Sequence, residues 1–195
     1  IEPPTWSLLL AQSCRAKGFG VGILDATAER LSHQQTVQRI ADSKPRLACF
    51  VVYGQNPNSG TTNMIGNTEC AALLKVAHPE IPVCFVGSHT SALPMEVLSL
   101  PFVDFVLLNE GVYALHNLLQ TDLRSRLENV NGLGYKSGVG PTLNAPERVV
   151  PHDRMDLDMP GYAWDLLPYR EKPLDLYRAH FWHAEFSHDK RTPFA

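Results

Sequence analysis

Short apolar runs alternate with amphipathic stretches through the first two-thirds of the chain. Continuous hydrophobic runs are typical of strands covered on both faces, and they predict strands at 47–53, 81–86 and 102–108, with a shorter one at 19–25. Apolar residues at helical spacing predict helices at 6–17, 32–43, 60–78, 92–100 and 112–119. We expect Gly18 to end the first helix and Ser32 to cap the second.

This alternation predicts the α/β class, with a flavodoxin-like (Rossmann-type) parallel sheet carrying helices on both faces. A five-stranded sheet of this kind has strand order 2-1-3-4-5, and the four predicted strands correspond to strands 2 to 5. We therefore expect the first strand to be missing, which leaves a gap between the strands at 19–25 and 47–53. On this interpretation the native protein has an upstream strand, and both ends of the present chain are cuts.

The pattern changes after about residue 121. Residues 132–136 and 141–144 flank a Ser-Gly-Val-Gly turn and predict a small β-hairpin. Prolines are dense from Pro146 onward and periodicity is poor, which predicts an extended linker that wraps a surface. We expect an α/β domain at 1–121, a hairpin appendage at 122–150 and a Pro-rich linker at 151–195.

Composition narrows the possible functions. Hydrophobic residues make up 44% of the chain, the formal net charge is -3 and no basic run occurs, so a nucleic-acid groove is disfavoured. No apolar stretch approaches the roughly 20 residues that cross a bilayer, and no basic signal-peptide start is present. Cys14, Cys49, Cys70 and Cys84 form no CxxC pair, so we expect reduced thiols, Cys49 and Cys84 buried, and a cytoplasmic protein.

Three loops follow predicted strands at the edge where parallel α/β sheets bind ligands. Each also has a purely structural interpretation: a turn with an N-cap for the first, a structural histidine for the second and a helix start for the third. The candidate ligand-binding residues are Tyr53, Gly54, Gln55, Asn56, Asn58 and Ser59 in the first loop, Gly87, Ser88, His89, Thr90, Ser91 and Leu93 in the second, and Asn109, Glu110 and Gly111 in the third.

No complete catalytic centre is recognisable. GxSxG, P-loop and GxGxxG motifs are absent from the sequence. His180 and His183, with His188 nearby, have a spacing that allows one helical face, but no cysteine or second pair completes a closed metal site. We favour aromatic linker packing for these histidines, and we predict no metal site and no catalytic residue in this chain.

Five segments, in order, carry a family resemblance. They are Pro3-Pro4 before a helix and a strand ending Leu24-Asp25-Ala26, then Lys44-Pro-Arg-Leu47, then Val86-Gly-Ser-His-Thr-Ser-Ala-Leu-Pro94, then Phe102–Val106 leading to Glu110-Gly111, and finally Ala163-Trp-Asp-Leu-Leu-Pro168. Together they resemble the cobalamin-binding domain found at the N-terminus of many radical SAM enzymes. The resemblance covers nearly the whole chain.

The resemblance implies that the three loops bind cobalamin. It also implies a radical SAM domain of the same polypeptide as partner, carrying a [4Fe–4S] cluster and S-adenosylmethionine, and a reaction in which a methyl group is transferred to an unactivated carbon. The cobalt-ligating histidine of the DxHxxG motif is absent after Asp25, Val51 stands where such domains often have serine, and Ser88 stands where this family usually has proline.

Two alternatives remain from other functional classes. The fold could have lost cobalamin and serve as a structural or partner-binding module, which the departures at Val51 and Ser88 would suit. A phosphate-receiver domain is disfavoured because Asp25 has no neighbouring acid with which to bind Mg²⁺.

Overall fold

The computed structural model describes residues 3–53 and 57–168, and for 57–59 the backbone only. The principal helices are α1 (Thr5–Ala16), α2 (His33–Asp42), α3 (Pro57–Ala77), α4 (Ser88–Ala92), α5 (Pro94–Ser99), α6 (Val112–Gln120) and α7 (Met155–Asp158). The strands are β1 (Ala48–Val52), β2 (Val83–Gly87), β3 (Phe105–Leu107), β4 (Leu133–Ser137) and β5 (Gly140–Leu143). Single 3-10 turns lie at Leu127–Asn129, His152–Arg154 and Trp164–Leu166.

The five strands form one sheet in the order β1-β2-β3-β4-β5. β1, β2 and β3 are parallel, with Cys49 opposite Cys84 and Phe85 opposite Val106. β4 pairs antiparallel with β3, and β5 antiparallel with β4. The predicted class is confirmed: this is a Rossmann-like α/β fold built on a parallel core.

Side chains of the central strands alternate between two hydrophobic clusters. Val83 and Phe85 belong to the cluster on the side of α2 and α3, where the rings of Phe85 and Phe50 stack with centroids 5.1 Å apart. Cys84 and Val86 belong to the cluster on the side of α1 and α6. All five residues of β2 are buried, as expected for a parallel strand covered by helices on both faces.

Two predicted helix signals are confirmed. The Ser32 side chain accepts a hydrogen bond from the Gln35 amide at 3.2 Å, while the Gln35 side chain accepts one from the Ser32 amide at 2.8 Å, which completes a capping box. The first helix ends before Gly18, whose φ of 85° lies in the left-handed region that commonly terminates helices.

The predicted strand at 19–25 is wrong. These residues have no ladder partner among the described residues, and β1 is paired only with β2 there. Phe19 and Val21 instead pack against the α1/α6 cluster, and Ile23 packs against Leu8 and the strap described below. Apolar residues favour a buried strand but do not suffice for one, because a strand also needs a neighbour for its backbone groups.

Several boundaries differ from the prediction. Residues 88–91, expected to be loop, belong to α4. The helix expected at 92–100 is α5, which starts at Pro94, a residue favoured at the first helical position. The helix expected from residue 60 begins at Pro57. The strand expected at 102–108 is limited to 105–107.

The predicted hairpin is confirmed, and it extends the main sheet. The backbone of β4 lies beside β3, with Gly134 opposite Val106. A Cβ atom at residue 134 would lie 2.5 Å from Val106 Cγ2 and 2.6 Å from Leu143 Cδ2. The hairpin therefore packs on the core that the parallel strands share.

The segment that we call the strap, residues 147–167, crosses α1 and α6. It is anchored by buried Val150 and Leu167, which are 5% and 3% exposed. The Ala163 amide donates to the Leu8 carbonyl at 3.2 Å, and Arg15 forms an ion pair with Asp165 at 2.8 Å. The strap therefore packs on the surface of α1 and α6, whereas residues 169–195 of the predicted linker at 151–195 lie outside the described residues.

The structure also describes the surroundings of each cysteine. All four cysteines are free, Cys84 is fully buried, and burial raises the pKa of the Cys14 thiol to about 12. Cys49 is only partly buried, contrary to expectation. No helix within 3–53 and 57–168 is long and apolar enough to cross a membrane, and no group of acidic, histidine or cysteine side chains there could hold a metal. His180, His183 and His188 lie outside the described residues.

We predict that Gly134→Ala lowers the free energy of unfolding by about 1–3 kcal/mol, because the added methyl overpacks the contact between β3 and β5. Gly138→Ala is the matched control: a Cβ there meets nothing within 4 Å. Urea denaturation of both variants checks this. Equal stability of the two variants would contradict the packing of the hairpin on the core.

Candidate functional site

The loops that follow β1, β2 and β3 lie at one edge of the sheet, which we call the carboxyl edge. Parallel pairing places the carboxyl ends of these strands side by side. Of the first loop, Tyr53 is described, Gly54, Gln55 and Asn56 are not, and Asn58 and Ser59 are described as backbone in the first turn of α3. The candidate residues of the second and third loops all lie within the described part of the chain.

Two aromatic side chains connect the first and third loops. The Tyr53 hydroxyl donates to the Asn109 carbonyl at 2.7 Å, and the Trp6 indole N–H donates to the Glu110 carbonyl at 3.2 Å. The two rings contact each other, with centroids 5.1 Å apart. Burial raises the pKa of Tyr53 to about 12, and the nearby Glu110 carboxylate adds to the effect. Tyr53 is therefore a neutral hydrogen-bond donor at physiological pH.

The second loop lies directly against the end of β1. A Cβ atom at Gly87 would overlap the Val52 carbonyl and lie 2.7 Å from its carbon, so only glycine allows this approach of two backbones. Beyond it, His89 Nδ1 lies 3.1 Å from the Thr61 hydroxyl on α3. This hydrogen bond joins the second loop to the helix that follows the first.

The third loop has a constrained backbone. Asn109 has φ of 56° and Gly111 has φ of 73°, both in the left-handed region. A Cβ atom at Gly111 would lie 2.7 Å from Val86 Cγ2, so the turn packs tightly on β2. Gly111 also provides the N-cap of α6. The turn holds its peptide groups in one orientation at the carboxyl edge.

Three side-chain hydroxyls of α4 are buried without a hydrogen-bond partner. They are the hydroxyls of Ser88, Thr90 and Ser91. Thr90 is wholly buried, at 0% exposure. An unpaired buried hydroxyl costs about 1–3 kcal/mol, so three within four residues is a concentrated and unfavourable feature unless a ligand satisfies them.

The Glu110 side chain binds the backbone of a segment distant in the sequence. Its carboxylate Oε2 accepts a hydrogen bond from the backbone amide of Val150 in the strap at 2.9 Å. The interpretation of this residue as a simple helix start is therefore incomplete. Glu110 connects the third loop to the strap, and one carboxylate oxygen is engaged in that contact.

Sequence reasoning missed three residues that shape the site. Trp6 was assigned to the hydrophobic face of the first helix, and Thr61 and Val150 were not singled out. Trp6 lies 104 residues from its acceptor and Val150 lies 40 residues from its own. No local pattern signals contacts of that separation. Leu93, a predicted contact residue, follows α4 with 45% of its side chain exposed.

A cavity among the described residues lies away from the three loops. It has a volume of about 520 Å³ and is lined by residues that precede β1 and β2 and follow α6, including Lys44, Arg46, Glu80 and Asp122. Several of these groups are already bonded: Arg46 donates to the Leu119 and Thr121 carbonyls, and Asp122 accepts from Ser125. It opens at the amino ends of the strands, opposite the ligand-binding edge of a parallel sheet. We therefore place the candidate site at the carboxyl edge, where the described residues form a shallow depression beside Asn109–Ala114.

A Rossmann-like sheet with polar, glycine-containing turns at its carboxyl edge defines a class of α/β domain that binds cofactors. The model of the B12 binding domain family matches residues 1–119, more than half of the chain. The chain therefore belongs to the B12-binding domain family, which confirms the resemblance seen in the sequence. A comparison with curated protein sequences gave no match.

Solved structures show the same fold at low sequence identity. The cobalamin-dependent S-adenosylmethionine radical enzyme OxsB, with aqua-cobalamin and S-adenosylmethionine bound, matches with a TM-score of 0.68 and 19% identity over 88% of this chain and 23% of that one. The radical S-adenosylmethionine methyltransferase TsrM from Kitasatospora setae, with cobalamin and a [4Fe-4S] cluster bound, matches with a TM-score of 0.61 and 17% identity over 78% of this chain. The present chain spans 28% of that TsrM chain.

We predict that Tyr53→Phe reduces the dependence of stability on alkaline pH. In the wild type, burial raises the pKa of Tyr53 to about 12, whereas in the unfolded chain the hydroxyl ionises near its ordinary pKa of about 10. Its contribution to stability is therefore fully present below pH 10 and is lost as pH rises toward 12. Chemical denaturation at pH 9, 10 and 11 should show a smaller loss of stability in the variant. Tyr162→Phe, on a half-exposed strap tyrosine, is the control, and parallel pH curves for the wild type and Tyr53→Phe would contradict the assignment.

Proposed function

We propose that this chain binds cobalamin at the carboxyl edge and acts as the cofactor domain of a radical SAM enzyme. The proposal is supported by membership of the B12-binding domain family and by the fold shared with two cobalamin-bound enzymes. One observation within the molecule carries it furthest. The three unpaired hydroxyls of Ser88, Thr90 and Ser91 lie next to a turn that requires glycine.

The residues at this edge fit a large ligand that carries many amide groups. A corrinoid offers side-chain amides, which can accept from hydroxyls or donate to them, and a phosphodiester, which accepts from hydroxyls. Gly87 brings the backbone of β2 against β1, and the hydroxyls of α4 that follow it have no hydrogen-bond partner among the described residues. His89, held by Thr61, would position a further ring N–H or lone pair.

The third loop would contribute backbone groups. Asn109 and Gly111 hold their peptide units in left-handed conformations, and Tyr53 and Trp6 fix the carbonyls of Asn109 and Glu110. When bound, cobalamin supplies a cobalt centre that can carry a methyl group, and the protein binds and orients it. Every role assigned here to this chain is one of binding and positioning.

The finer part of the proposal concerns the reaction. We propose methyl transfer to an unactivated carbon, with a radical SAM domain of the same polypeptide supplying the [4Fe–4S] cluster and S-adenosylmethionine. The support is that TsrM is a methyltransferase and that this chain spans only 28% of it. The analogy is one of fold, because identity is below 20% in both cases.

A second candidate function is a structural or partner-binding module without cobalamin. It is favoured by the rings of Tyr53 and Trp6, which contact each other beside the third loop. Side chains that already contact each other leave less room for a large ligand beside the third loop. The two candidates differ in one measurable property, which is retention of the cofactor.

Incubation of the chain with hydroxocobalamin, followed by desalting and an absorbance spectrum, tests the proposal. Retention of the corrin spectrum with about one equivalent per chain is the expected outcome for a single site. A spectrum without corrin bands after desalting would contradict cobalamin binding and favour the second candidate. Bovine serum albumin treated in the same way controls for non-specific retention.

We predict that Thr90→Val has opposite effects on stability and on cofactor binding. Because the hydroxyl is buried and unpaired, its removal should leave the ligand-free protein equally stable or more stable by about 1 kcal/mol. If the hydroxyl binds cobalamin, the dissociation constant should rise by about tenfold. Thermal denaturation and an absorbance titration measure the two effects.

Thr36→Val is the matched control for this experiment. Thr36 is also buried, but its hydroxyl donates to the Ser32 carbonyl at 2.9 Å. Its replacement should lower the free energy of unfolding by about 1 kcal/mol and leave cobalamin affinity unchanged. Destabilisation by Thr90→Val with unaltered affinity would show that this hydroxyl has no part in the site.

A further inference from the structure

A buried carboxylate fixes the strap to the two helices beneath it. Asp158, in α7, is 2% exposed and accepts hydrogen bonds from Lys17 Nζ at 2.9 Å, from the Tyr113 hydroxyl at 2.7 Å and from Arg154 Nε at 3.1 Å. These donors, Lys17 foremost, hold the pKa of the carboxyl well below its usual range despite its burial. Asp158 therefore stays ionised and joins α1, α6 and the strap.

The backbone of the same residue is bound as well. The Ser13 hydroxyl donates to the Asp158 carbonyl, and Ser13 Oγ lies 2.9 Å from His116 Nε2. Since the single hydroxyl proton of Ser13 is used on that carbonyl, the imidazole Nε2 must donate to Ser13. Burial lowers the pKa of His116, in keeping with a neutral ring that carries its proton on Nε2.

A second attachment leads from the strap to the carboxyl edge. The Glu110 carboxylate accepts from the Val150 amide at 2.9 Å, and the Arg148 guanidinium lies 5.2 Å from the ring centroid of Tyr113. Tyr113 follows the third loop by two residues and binds Asp158 through its hydroxyl. One attachment therefore lies in the third loop, at Glu110, and the other lies in the first turn of α6, at Tyr113.

We propose that Glu110 and Asp158 form a latch that docks the strap on α1 and α6 and couples this docking to the state of the third loop. The coupling half of the proposal rests on the proposed cobalamin site. The third loop holds Glu110 in the geometry that Val150 requires, so a ligand that favours this loop conformation also favours the docked strap. By thermodynamic linkage, the docked strap then raises affinity for the ligand.

The position of Glu110 would allow binding of the cofactor to affect the docking of the strap. The carbonyl of Glu110 is bound by Trp6 at the candidate site, while its carboxylate is bound by the strap. Glu110 therefore contacts both the candidate site and the strap. Release of the strap would not require a large movement of the third loop, because loss of the hydrogen bond to Glu110 would by itself free the Val150 amide.

Hydrogen exchange at individual amides, followed by NMR, tests the latch in the ligand-free protein. Glu110→Gln should speed exchange of the Val150 amide about tenfold, since a charged acceptor is replaced by a neutral one. Asp158→Asn should speed exchange through residues 154–160 by at least as much. Glu96→Gln on α5 and Asp156→Asn on α7 are matched controls at exposed positions of the same residue types. Unchanged exchange at Val150 in Glu110→Gln would overturn the latch.

The same measurement with hydroxocobalamin present tests the coupling. Slower exchange at both the 87–93 segment and the strap in the wild type, with the strap effect lost in Glu110→Gln, supports it. Protection of 87–93 without any change in the strap overturns the coupling and leaves cobalamin binding intact. Protection of neither segment, together with no retained corrin spectrum, ends both the coupling and the proposed function, while the latch is still judged by the ligand-free variants.

Discussion

Parallel pairing of β1, β2 and β3 is the constraint on which the remaining structure depends. β2 is buried along its whole length, so its backbone groups must be satisfied by strands on either side. That pairing places Val52 opposite Gly87, and it is this register that brings the Val52 carbonyl against residue 87. The requirement for glycine there, and the close spacing of the three loops, are consequences of how the strands pair.

The predicted elements succeeded where burial alone decides the structure. The apolar runs that became β1, β2 and β3 fill clusters on both faces of the sheet, and continuous hydrophobicity reports that environment directly. The predicted strand at 19–25 is also apolar, yet its side chains Phe19, Val21 and Ile23 pack on helices and on the strap. Hydrophobic pattern reports which side chains are buried, whereas strand formation also needs a distant partner, which the local sequence does not encode.

The candidate site was predictable in position but not in contacts. Glycine, asparagine and serine after predicted strands indicated the three loops, because parallel sheets bind ligands at that edge. The crossing of Tyr53 and Trp6 to the carbonyls of the third loop joins residues 56 and 104 positions apart. The unpaired state of the α4 hydroxyls could be recognised only once a short helix, poorly favoured by Ser and Thr, was seen to bury them.

Those hydroxyls bear on the choice between a cofactor domain and a purely structural module. A structural module gains nothing from buried groups without partners, since alanine or valine at Ser88, Thr90 and Ser91 would remove a cost of about 1–3 kcal/mol at each position. Buried polar groups without partners are typical of functional sites, where ligand binding compensates for their cost. The rings of Tyr53 and Trp6 do not oppose this view, because they fix carbonyls of the third loop and leave the α4 hydroxyls unpaired. On the proposal made above, bound cobalamin would supply the hydrogen-bond partners that these hydroxyls lack.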